Sequence, residues 1–112
     1  KINIMANTYD WKINQLDAKI HQDNLENVIY IVHWSYLATD DSVEPITVNL
    51  SGAMGVEYNE GDPFIPYNEL TKEIVVSWLE NNLEVDALKL SLDKQIELKK
   101  NPVDEYLHPD WD

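Results

Sequence analysis

Tyr9, Trp11 and Ile13 alternate with Asp10, Lys12 and Asn14, the period-two pattern of a half-buried strand. The extended reading continues to Gln22, where Asp23-Asn24 supplies turn chemistry. Val28 to Thr39 is the strongest strand pattern in the chain. It places Val28, Tyr30, Val32, Trp34 and Tyr36 on one face and Ile29, Ile31, His33, Ser35 and Leu37 on the other. Both faces are apolar in its first half, which predicts a central strand covered on both sides at that end. Asp40-Asp41-Ser42 reads as a second turn. Val43 to Tyr58 then forms a third strand, with Gly52 and Gly55 marking a bulge or bend.

The period changes after the loop Asn59-Glu60-Gly61-Asp62-Pro63. Thr71 is an N-cap, and Leu70 and Val75 are placed to pack across it as a hydrophobic staple. Ile74, Val75, Trp78, Leu79 and Asn82 or Leu83 make one helical stripe, which Asn81-Asn82 ends. A second helix starts near Glu84, aligns Val85, Leu88, Leu92 and Ile96, and stops at Asn101-Pro102. Acidic Glu84 and Asp86 in its first turn and Lys99 and Lys100 in its last both suit the helix dipole. The predicted fold is α+β, a three-stranded antiparallel meander followed by two helices packed on one face. Residues 1–8 read as an N-terminal extension, 9–101 as one domain and 102–112 as an irregular C-terminal tail. Met5 followed by Ala6 resembles a natural start, with four residues ahead of it.

Two helices cover one face of such a sheet, so Ile29, Ile31 and Leu37 on the second face need another cover. That requirement predicts a homo-oligomer, a dimer being the commonest closed form. Tyr106, Leu107 and Trp111 in the tail follow no helical or strand period and are the candidate interaction residues. Trp111 is expected either to fold back on its own domain or to plug into a neighbour. Trp11, Trp34 and Trp78 sit on apolar faces and read as core, Trp78 among the most buried.

Charge narrows the partners. The chain has 112 residues, 21 Asp and Glu against eight basic residues, and a formal charge of −13. All eight are lysines, so the guanidinium fork that grips phosphate is missing, and the net charge repels a nucleic-acid backbone. Direct nucleic-acid binding is therefore excluded, and anionic membrane surfaces are disfavoured. No apolar run approaches the ~20 residues of a membrane span, and the first residues lack the apolar core of a secretory signal. Cysteine is absent, which removes disulfides, thiolate chemistry and cysteine-held metals and fits a reducing compartment.

No residue is assigned to catalysis, a cofactor or a metal. His21, His33 and His108 show no ligand spacing, and Ser35, Ser51 and Ser77 lack a nucleophile-elbow setting. Ser51-Gly52-Ala53-Met54-Gly55 follows no strand-to-helix turn that would cradle phosphate. Asp40-Asp41 and Asn59-Glu60-Gly61-Asp62 do not match a calcium loop and read as solvated turns.

Tyr9-Asp10-Trp11-Lys12-Ile13-Asn14-Gln15-Leu16, the His33-Trp34-Ser35-Tyr36 strand, and Phe64-Ile65-Pro66-Tyr67 before Leu70-Thr71 form one layout. With Lys100-Asn101-Pro102 and the terminal Trp111, it resembles a family of small proteins encoded by tailed bacteriophages, many marine, including those of cyanobacteria. The resemblance runs from about Met5 to Trp111 and rests on structural motifs. Asn82 stands where relatives more usually carry a helix-ending glycine, which affects only that turn. The resemblance implies a virion accessory or a host-modulating factor, partnered by phage or host proteins in addition to the second copy that the sheet predicts, in the virion or the infected host cytoplasm. An acidic DNA mimic that titrates a host nucleic-acid enzyme is the alternative, and a small ligand-binding domain or enzyme stands third.

Overall fold

The computed structural model describes residues 7–111, so Met5 and the segment around it lie outside the described residues. Three strands, β1 (Thr8–Gln22), β2 (Leu25–Thr39) and β3 (Thr47–Gly55), form one antiparallel sheet in the order β1-β2-β3. A 3₁₀ turn (Tyr67–Glu69) leads into α1 (Lys72–Asn82) and α2 (Val85–Lys100). The three-stranded meander followed by two helices is thus the architecture of the chain.

Local chemistry explains the boundaries. Asp23 and Asn24 both hold positive φ, 49° and 70°, the conformation of a two-residue hairpin turn matched to strand twist. Thr71 Oγ1 accepts the Ile74 N–H at 3.3 Å and caps α1. Asn101 closes α2 by donating its N–H to the Glu97 carbonyl at 2.8 Å, and Pro102 stops the helix from extending.

The β1–β2 hairpin departs from simple alternation in two places. Pairing passes from Ile13↔Trp34 to Gln15↔His33, leaving Asn14 as an extra residue on β1. It then passes from Asp17↔Ile31 to Ala18↔Ile29, leaving Tyr30 as an extra residue on β2. Each is a bulge, and each reverses the faces of the residues beyond it on its own strand. Tyr30 is therefore 39% exposed, its ring under the Lys19 ammonium at 5.4 Å, while Ile29 joins the core.

This corrects the expected face assignment. The second face is not an apolar patch of Ile29, Ile31 and Leu37. Asn14 Nδ2 donates to Ser35 Oγ at 2.8 Å, and Ser35 and Ser51 share a hydrogen bond of 2.7 Å. His33 Nε2 lies 2.9 Å from Asp17 Oδ2. The hydrogen bond from Gln15 and then the His33 contact hold Asp17 below the usual carboxylate range. A face carrying these polar rows, with Ile31 and Leu37 only half-buried, does not itself demand an apolar cover.

The helices cover the other face. Trp11, Val32, Trp34, Tyr36, Ala38, Val48 and Met54 meet Val75 and Leu79 of α1 and Leu92 and Ile96 of α2. Trp11 packs edge-on to Trp34 at 5.6 Å and tilted to Tyr36 at 4.2 Å between ring centres. Tyr9 donates to Asp93 Oδ1 at 2.6 Å and Asn7 Nδ2 donates to the same oxygen at 2.7 Å, tying β1 to α2. Burial, then that carboxylate, push the Tyr9 hydroxyl up to about 12.

Two side-chain expectations change. Trp78 is only half-buried, because its neighbour Leu79 points into the core and has no exposure at all. Gly52 marks no bulge: β2–β3 pairing runs unbroken from Thr39↔Thr47 to Ile31↔Gly55. It instead makes room for the Trp34 ring, since a Cβ at Gly52 would lie 2.7 Å from Trp34 Cζ2.

Candidate functional site

The tail begins at a fixed root. Lys100, the last residue of α2, places its Nζ 3.0 Å from Asp40 Oδ2 in the loop between β2 and β3. The Asp40 side chain is fully enclosed; it accepts the Ser42 hydroxyl on Oδ2 and the Ile46 N–H on Oδ1 at 2.8 Å. This is not the solvated turn that the sequence suggests. The Ser42 hydroxyl, then the Ile46 amide, hold the Asp40 carboxyl well below its usual range, with Lys100 adding to them.

A depressed carboxyl contributes stability that is present above its unfolded pKa, about 3.9, and lost as pH falls through its folded value. Asp40→Asn should therefore melt well below the wild type at pH 7, with the gap closing as pH falls below about 4. Paired thermal melts from pH 7 to pH 3 check this. A gap that stays constant over that range would assign the effect to shape rather than to the carboxylate.

Beyond this root every residue from Asn101 to Trp111 is exposed. Tyr106, Leu107 and Trp111 are 84%, 75% and 79% exposed, so Trp111 does not fold back to cover its own domain. The structure puts all three candidate residues on one irregular segment and leaves them at the surface. The four sequence positions Asp104, Glu105, Asp110 and Asp112 make the same segment acidic, and it contains no lysine.

A second feature was not legible in the sequence. The segment after β3 folds beside the start of β2 and α1, enclosing a cleft of about 420 Å³. Tyr58 and Phe64 meet edge-on at 5.7 Å, and Trp78 and Val28 also line the cleft, which carries Glu57 and Asp62 as well. Trp78 is half-buried because it lines this cleft. The usable signal was the density of apolar groups on both sides of the loop at residues 59–63: Val56 and Tyr58, read as the end of the third strand although β3 stops at Gly55, and Phe64 and Ile65 after it.

Among the described residues, no group of three His, Cys, Asp or Glu could hold a metal ion, and no helix is long and apolar enough to cross a membrane. A family model described as a domain of unknown function, DUF7936, matches residues 6–111. The chain belongs to that family. Neither a curated protein nor a solved structure matches it. The family's span runs through the tail as well as the sheet and helices, so the exposed segment is part of the matched unit.

Proposed function

We propose that this chain is a non-enzymatic interaction protein whose acidic, aromatic C-terminal tail engages a partner. One observation carries the reading: Tyr106, Leu107 and Trp111 stand in solvent on a segment rooted by the Lys100–Asp40 contact. Large apolar groups presented together are the usual anchors of a protein interface, and a short irregular segment can present them as a peptide ligand. Burying each would contribute about 1.5–3 kcal/mol before ordering of the tail is subtracted. The resemblance to small proteins of tailed bacteriophages supports a phage or host protein as the partner. It also supports the virion or the infected host cytoplasm as the place.

A photo-crosslinking residue at position 107, introduced in infected cells, tests the proposal. A discrete adduct with a phage or host protein is expected, with none from the same residue at Val43, which is fully exposed on the β2–β3 loop. Equal labelling from both positions, or no adduct from the tail, would overturn it.

A further inference from the structure

We propose that the tail of one copy seats in a groove beside β1 of a second copy, so that two chains hold each other reciprocally. The inference rests on reading the tail as a docking element and names a receptor for it. The groove, about 640 Å³, lies between β1 and the residues leading into α1. Ile13, Leu16, Leu70 and Val75 give it an apolar lining, and Lys12 and Lys72 add positive charge.

Charge favours this surface over the cleft by Trp78. The chain has only eight lysines against 21 acidic residues, yet two of them border this one apolar groove. The tail is the complement: aromatic and aliphatic groups interleaved with Asp104, Glu105 and Asp110. The cleft by Trp78 has Glu57 and Asp62 among its lining residues and would repel the same segment. Lys72 touches Asp10 at 3.5 Å, but that pair is exposed and readily exchanged for a new carboxylate.

Backbone geometry agrees. β1 is the edge strand of the sheet, with no strand on its outer side among the described residues. An irregular segment can add along such an edge. Pro102 and Pro109 confine any pairing to the residues between them, the stretch that contains Tyr106 and Leu107. The tail's ten residues from Pro102 to Trp111 span at most about 35 Å when extended, enough to cross to a neighbour. In the single chain Trp111 remains 79% exposed, so its own groove does not hold it. A twofold pair uses the same contact twice.

Analytical ultracentrifugation of the full chain from 1 to 100 µM tests this. A dimer is expected within this range. Full-length Trp111→Ala and full-length Lys12→Glu/Lys72→Glu should each raise the dimer dissociation constant at least tenfold. Circular dichroism should be unchanged, since the replaced side chains are exposed. Mixing the two variants should give association stronger than either variant alone and weaker than wild type, because the intact tail of the second meets the intact groove of the first and so one of the two contacts is whole. Lys12→Gln/Lys72→Gln should fall between wild type and the charge reversal. A chain monomeric at 100 µM, a dimer indifferent to either variant, or a mixture that associates no more than either variant alone would each overturn the proposal. A monomer that still crosslinks through position 107 to a phage or host protein would remove the reciprocal pair and leave the interaction reading standing.

Discussion

Leu79→Ala should destabilise the domain by about 3–5 kcal/mol, and Trp78→Ala by clearly less. Leu79 is fully enclosed where α1 meets α2 and the sheet, in one cluster with Val75, Leu92 and Ile96. Removing its isobutyl group leaves a void that close-packed neighbours refill only in part. Trp78 is larger, but one side of its ring borders the open cleft, so part of its surface already meets solvent. Total stabilities of domains this size are about 5–15 kcal/mol, so the Leu79 change removes a large share. Thermal melts should show a fall of at least ~10 °C for Leu79→Ala. If Trp78→Ala proves the more damaging of the two, α1 is rotated relative to this description.

Gly52→Val should have the next largest effect, about 1–3 kcal/mol or more, by overpacking rather than by loss. The Cβ position at Gly52 lies 2.7 Å from Trp34 Cζ2 and 3.0 Å from Cε2. The ring has little room to retreat, since Trp34 is 7% exposed and packs against Trp11, which in turn packs on Tyr36. A shift of Trp34 must propagate through these aromatic groups, so near-ultraviolet circular dichroism should change along with the melting temperature. Gly55 is the control: no atom lies within 4 Å of its Cβ position, so Gly55→Ala should be close to neutral. Equal effects at the two glycines would mean that backbone freedom, and not the Trp34 contact, sets the requirement.

The sequence revealed the elements more fully than their faces. Asp23-Asn24 and the Thr71 cap act through neighbours a few residues away, so the hairpin turn and the start of α1 were both readable. The bulges at Asn14 and Tyr30 were not. Nothing in either residue type announces an extra position, and one such position sends Ile29 to the opposite side from the one that alternation assigns. Asp40 looked like any acidic turn residue, because its contact with Lys100 joins positions far apart in the chain. Tyr106, Leu107 and Trp111 were singled out because they fit no period, and their exposure bears on the same property: no element of their own domain claims them.

The two bulges in the first hairpin also tie its two arms together in length. One spare residue on each strand cancels the other, so pairing from Ala18↔Ile29 to Gln22↔Leu25 keeps the offset it had from Thr8↔Thr39 to Ile13↔Trp34. The two-residue turn at Asp23-Asn24 depends on that cancellation. Loss of Asn14 alone would leave the arms unequal, forcing either the turn to change its size or Tyr30 to be drawn back into line. Loss of both residues together would leave the turn untouched. In this part of the chain, single insertions and deletions are thus governed by arithmetic on the opposite strand, and a change on one arm is best tolerated when the other arm changes with it.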